Sequence, residues 1–339
     1  MKRILGVALL LLIGVLAAVA ATYHPGIHNV FYAAPVVLPA QKIVLLSSLR
    51  EEYYKIDQWL NAATDLSSFV SEGQTLIFPE GGSSPAVYKN RTTDIDSVEV
   101  EETVAEVPLD YYDSQNYKMR NINLHALPYD KIAYYTKKSA EAIIKQETKD
   151  AAYQFAPINA GAKRIIIPTT GVADGAYKSL TLDDIIAYAK ACDLMEFPDD
   201  NRNLVLSPSM WWQLIKNNDI LKAQLQYQAN TGVIAPKQVE YYGVKLNKSF
   251  GENASVAYNV DTATKAAQGA IPAGDIVPAS FGFVGTEVFR AGGTFDMYML
   301  AKENNPTGRA DEFGFSHRFK ADFDKTNQRY SSMIYAAKV

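Results

Sequence analysis

Residue types able to do chemistry are few in this chain, and their spacing suits no familiar reaction. Two acidic pairs, Asp183-Asp184 and Asp199-Asp200, come closest to a carboxylate dyad. Paired-acid catalysis needs a second carboxylate at a defined separation. Neither pair has one, and solvation of a turn and of a helix start accounts for both. The 4 histidines, His24, His28, His125 and His317, are scattered, with only the first two near one another. No His-Glu-x-x-His, Cys-x-x-Cys or Gly-x-x-x-x-Gly-Lys-Ser/Thr pattern occurs, so no metal and no cofactor is expected. Gly81-Gly82 and Gly292-Gly293 lack the following lysine or helix that a phosphate site requires. The single cysteine, Cys192, excludes an intrachain disulfide and reads as a small core residue on the apolar side of a helix. Asn90, Asn247 and Asn253 begin glycosylation-type triplets, which carry meaning only in a secreted eukaryotic protein. No nucleophile–base pair supports a hydrolase. No catalytic residue is assigned.

The composition belongs to a globular chain: 339 residues, 48% apolar and 21% charged. Net charge is −4 and no basic run exceeds a dipeptide, so the basic stripe expected of a protein that grips nucleic acid by counterion release is absent from the sequence reading. If such a chain encloses DNA, it is expected to do so as a wall, without a dedicated or sequence-specific binding site. The 21 tyrosines against 14 phenylalanines suit half-buried subunit contacts, although ordinary strand chemistry explains them equally well.

Along the chain, Lys2-Arg3 precedes an uncharged stretch, Ile4–Ala21, with Ala18-Val19-Ala20 as a small-x-small cleavage candidate. This fits a secretory signal peptide or a short membrane helix. The Pro/Gly-punctuated run from His24 to about Ala40 reads as an extended arm. An amphipathic helix follows, with Leu49, Tyr53, Ile56, Trp59 and Leu60 on one face. Gln74–Pro79 reads as a strand, Glu80–Pro85 as a flexible tip, and Val98–Val107 alternates with period two. A hairpin of this length is not stable alone and needs a surface to lie on. Leu127-Pro128 opens a helix of about 25 residues reaching Phe155, about 38 Å long. Its stripe runs through Ile132, Tyr135, Ala140, Ile143, Ile144, Ala151 and Phe155. Thr181-Leu-Asp-Asp184 is a capping-box variant ahead of Ile185, Ile186, Ala189 and Cys192. Strands dominate from Phe281 to Val339.

The segment Phe197–Ile215 carries the most information. Leu204-Val205-Leu206 reads as a buried strand, Ser207-Pro208 as a helix start, and Met210, Trp211, Leu214 and Ile215 as one apolar helix face. The pattern Pro198-x-x-x-Arg202-x-Leu204-Val-Leu-Ser-Pro208 resembles a segment in the axial domain of tailed-bacteriophage major capsid proteins, which have the Hong Kong 97-like capsid fold. Pro128-Tyr-Asp before the long helix and the stretch Val239–Ser249, similar to the strand closing the axial domain, extend the resemblance over about residues 45–339.

The resemblance implies an α+β fold: an N-terminal arm and helix (22–68), an extended β-hairpin loop (69–112), a peripheral domain with a spine helix (113–165 and 281–339) and an axial domain (166–280). It implies a structural subunit, not an enzyme, that assembles through hexamers and pentamers into an icosahedral head shell around double-stranded DNA, located in the virion. Scaffold, portal or decoration proteins are the partners such a subunit would meet. Expected inter-subunit contacts are Gly81, Gly82, Val87 and Tyr88 on the loop and Trp212 beside the apolar helix face. Some such proteins crosslink a loop lysine to a neighbour's asparagine; Lys89 lies on the loop, but no acceptor asparagine or glutamate can be matched. The segment 1–21 departs from the pattern and is the only expected membrane contact; in a shell-forming chain it would be a scaffold-like extension, cleaved or retained against neighbouring subunits. It leaves open an exported periplasmic or surface binding protein, while an encapsulin-like nanocompartment is a close variant of the shell reading.

Overall fold

Pro128 starts the long helix where the sequence predicts, and Pro128–Phe155 forms one α-helix. The structure, a computed structural model, describes residues 58–71, 74–80, 89–90, 103–120, 128–219, 223, 238–249, 256–300, 310–323 and 328–339. The expected apolar segment, the arm, most of the first helix and the loop tip therefore lie outside the described residues. Ile143, Ile144 and Ala140 are buried against Met297, Phe313 and Phe315 of a five-stranded sheet. That sheet runs in the order Thr64–Asp65, Val288–Leu300, Ala310–Phe323, Asp110–Asp113, with Tyr117–Arg120 also paired to Ala310–Phe323. Alternation along Ala310–Phe323 places Phe313, Phe315, His317, Phe319, Ala321 and Phe323 in the core.

An eight-stranded mixed sheet forms the second layer. Ile276–Val284 is its axis: one edge pairs antiparallel with Arg202–Leu206 and Val256–Asn259, the other with Ser331–Tyr335. Val244–Lys248 lies parallel to Arg202–Leu206, and Arg164–Pro168 parallel to Ser331–Tyr335. Both faces are covered. Leu204, Leu206, Val244 and Leu246 pack under the helices Leu182–Leu194 and Pro208–Lys216. On the other face, Val205, Phe281, Phe283 and Met333 meet Trp59, Phe155 and Phe319. Strands from both sides of the expected boundaries at 165/166 and 280/281 share this one sheet, because backbone pairing ties Ser331–Tyr335 and Arg164–Pro168 to Ile276–Val284. Gly282 lets Tyr188 approach the sheet: a Cβ there would lie 2.4 Å from Ser332 Oγ and 2.9 Å from the Tyr188 hydroxyl.

Several local expectations are corrected. Trp59 and Leu60 are buried as expected and lie in a short 3-10 helix, Gln58–Ala62, while Leu49, Tyr53 and Ile56 of the same expected face lie outside the described residues. Val239–Ser249 is two strands, not one; Tyr242 and Gly243 take positive φ (49° and 73°) and turn Gln238–Tyr241 back onto Val244–Lys248. Ile186 does not join the buried face of its helix and is 40% exposed, while Tyr188, at 1%, takes that place. The hairpin has its own support at the base. Thr75–Glu80 pairs with Thr103–Pro108, and Leu76, Val107 and Leu109 pack on Phe289 and Ala291 of the same chain.

Candidate functional site

Arg202, the charged residue of the most informative motif, closes the loop before its strand. Its Nε donates to the Pro198 carbonyl at 2.8 Å and Nη2 to the Phe197 carbonyl at 2.7 Å. Nη1 reaches Asp193 at 2.7 Å and Nη2 reaches Asp199 at 2.6 Å. The guanidinium fork suits several fixed acceptors at once, and the side chain is only 5% exposed. Asp199 thus pairs with Arg202 instead of serving acid–base chemistry.

Asp184 is buried, not a solvated helix-start residue. It accepts from the Thr170 backbone (3.1 Å) and hydroxyl (2.6 Å) and from the Thr181 backbone (2.9 Å). It completes the predicted capping box while also tying the loop after Arg164–Pro168 to the helix. Cys192 is buried, and burial pushes its thiol up to about 11, so it is no thiolate nucleophile at neutral pH. Asn247 is buried and donates to Asn203 at 3.2 Å, which rules it out as a glycosylation acceptor in the folded chain.

Beyond that segment, two polar groupings went unseen in the sequence. His317 Nδ1 and Glu147 Oε1 are 2.5 Å apart, with both side chains almost wholly buried. His317 also stacks on Phe295 with ring centroids 3.7 Å apart. A histidine so enclosed reaches no substrate and acts as a structural link between strand and helix. The second is a cleft of about 300 Å³ lined in part by Asp110, Tyr112, Asp150 and Gln268. Tyr112 donates to Asp150 at 2.7 Å, and burial together with the Asp150 carboxylate pushes its phenol well above the ordinary range. Among the described residues, no group of three or more His, Cys, Asp or Glu could hold a metal ion.

Of the expected contact residues, Gly81, Gly82, Val87 and Tyr88 lie outside the described residues. Lys89 is exposed. Trp212 is 58% exposed, whereas Trp211 on the next position is 4% exposed. The Lys248 ammonium sits 4.6 Å from the Trp212 ring centroid, at cation–π distance. Sequence spacing thus separates the two tryptophans correctly, and the structure adds the lysine.

Solved structures that share this arrangement include phage capsids. The capsid of cyanophage P-SCSP1u matches with a TM-score of 0.54 at 14% identity, covering 82% of this chain and 87% of that chain. The Mycobacterium phage Che8 structure matches equally, at 0.54 and 14%, covering 82% and 90%. The capsid of Ralstonia phage GP4 gives 0.52 at 12% identity, covering 82% and 88%. No protein-family model and no curated relative matches the sequence. The chain has the Hong Kong 97-like capsid fold of tailed-bacteriophage capsid proteins.

Proposed function

We propose that this chain is the structural subunit of an icosahedral phage head shell, assembled through hexamers and pentamers around double-stranded DNA. The observation that carries the reading is the likeness of its fold, over 82% of its length, to phage capsid structures. In this reading 166–280 contributes the axial part of each ring. Residues 113–165 and 281–339 contribute the periphery, and 69–112 the loop that crosses a neighbour. Gly81, Gly82, Val87, Tyr88 and Trp212 are the proposed contacts between copies. Weak contacts repeated around a closed symmetric ring add up by multivalency, which lets a chain without a catalytic constellation do its work through interfaces.

Electron microscopy and light scattering of the purified full chain test this. Rings or closed particles of megadalton mass are expected; a small species at all protein concentrations would sink the proposal and favour an exported binding protein.

A further inference from the structure

The outer face of the long helix gathers lysines that the linear sequence scatters. At about 100° per residue, Lys138, Lys145 and Lys149 fall within about 40° of one another. They lie on the side opposite the buried Ile143 and Glu147. Lys138 and Lys145 are exposed and Lys149 half-buried, with exposed Lys137 beside them. Tyr134, 56% exposed, continues the face, its ring 5.9 Å from the Lys138 ammonium. The acidic side chains described on this helix turn elsewhere or are locally paired. Glu147 points to His317, and Asp150 accepts from Tyr112, Gln146 and Gln268. Only Glu141 meets the stripe, 3.0 Å from Lys138, and an exposed pair of that kind contributes little.

We infer that this stripe is the surface on which the subunit meets the phosphate backbone of double-stranded DNA. The inference rests on the shell reading and adds to it a specific inner contact. Lys138 to Lys149 spans about 16 Å along the helix, while duplex DNA carries a charge about every 1.7 Å. A rigid row of ammonium groups can therefore lie along a groove edge and displace condensed counterions. Nothing on this face offers the bidentate donors and acceptors that read bases, so binding would be independent of sequence. Each subunit would bind weakly, and a shell would repeat the contact many times.

The test is fluorescence anisotropy with a labelled duplex of about 30 base pairs and the full chain before assembly into particles, from about 50 to about 200 mM salt. Wild type is compared with the triple variant Lys138→Gln, Lys145→Gln, Lys149→Gln. A control triple variant replaces three exposed lysines elsewhere, Lys178→Gln, Lys190→Gln and Lys216→Gln. The stripe variant should show a log–log salt slope shallower by about 0.9 per lysine removed, with the control close to wild type. Equal changes in both variants, or no measurable DNA affinity in the wild type, overturn the inference. Electron microscopy of the same proteins separates the two readings. Normal particles with an unaltered slope overturn the stripe alone, whereas a wild type that forms no particles overturns the shell.

Discussion

Glu147 on the long helix and His317 on strand Ala310–Phe323 meet at 2.5 Å inside the core, with side chains 1% and 2% exposed. Such a pair is weak evidence for net stability, but breaking it leaves one polar group stranded. Glu147→Leu alone and His317→Phe alone should each destabilise by about 3–5 kcal/mol. The double variant should recover most of that loss, because two apolar groups of similar volume can replace a buried pair. Urea melts of all four proteins form the cycle; additive losses would show that the two residues are not coupled.

Arg202 makes its four contacts through a planar fork that lysine cannot reproduce. Arg202→Lys should cost about 3 kcal/mol, mainly from carbonyls of Phe197 and Pro198 left without their donor. The carboxylates of Asp193 and Asp199 are largely exposed and can return to water. Asp199→Ala should therefore change stability by less than about 1 kcal/mol. Thermal denaturation of the two variants checks the contrast, and equal losses would contradict it.

Trp211 and Trp212 should separate folding from assembly. Trp211→Ala empties a site in the core shared with Leu206, Leu214 and Val244 and should cost about 3–5 kcal/mol. Trp212→Ala should leave the melting temperature nearly unchanged while weakening ring formation, as for an anchor at an interface. Calorimetry and light scattering read the two effects. Equal thermal losses in both variants would remove the interface role of Trp212.

Lys265 gives a pH dependence. Its ammonium donates to the carbonyls of Tyr153 (2.6 Å) and Ala156 (2.9 Å) at the end of the long helix. Burial pulls its pKa down to about 8, opposed by the Asp322 carboxylate. Unfolded, the lysine holds its proton up to about pH 10.4, so between these values the unfolded state binds more protons. Stability therefore rises with pH across that window, by about 2 kcal/mol from pH 8 to pH 10. Lys265→Met should flatten this rise. Chemical denaturation of both proteins at several pH values measures it, and parallel curves would refute it.

How much of this was legible beforehand depends on the range of each signal. Thr181 with Asp184, Ser207 with Pro208, and the start of the long helix were readable because caps and prolines act within one turn. The buried strand core Leu204–Leu206 and the split between Trp211 and Trp212 are legible because helix and strand periods are fixed by backbone geometry; the strand's start at Arg202 is not. Val239–Ser249 reads as one strand in the sequence because its turn at Tyr242-Gly243 is set by two positive φ values that residue types alone do not reveal. The lysine stripe escaped a linear scan because spacings of seven and four become neighbours only on a helix.

The sequence by itself determined the local elements, the poverty of catalytic groupings and the capsid-like order of parts. Only the tertiary structure decided what each polar side chain is for. Thr170 reaches Asp184, Glu147 reaches His317 and Lys265 reaches Tyr153 across gaps of up to 170 residues. Those meetings are set by which strands pair and which helix face they cover. Sheet order is a long-range choice, made by burying both faces of the eight-stranded sheet at once. No window of neighbouring residues contains that information.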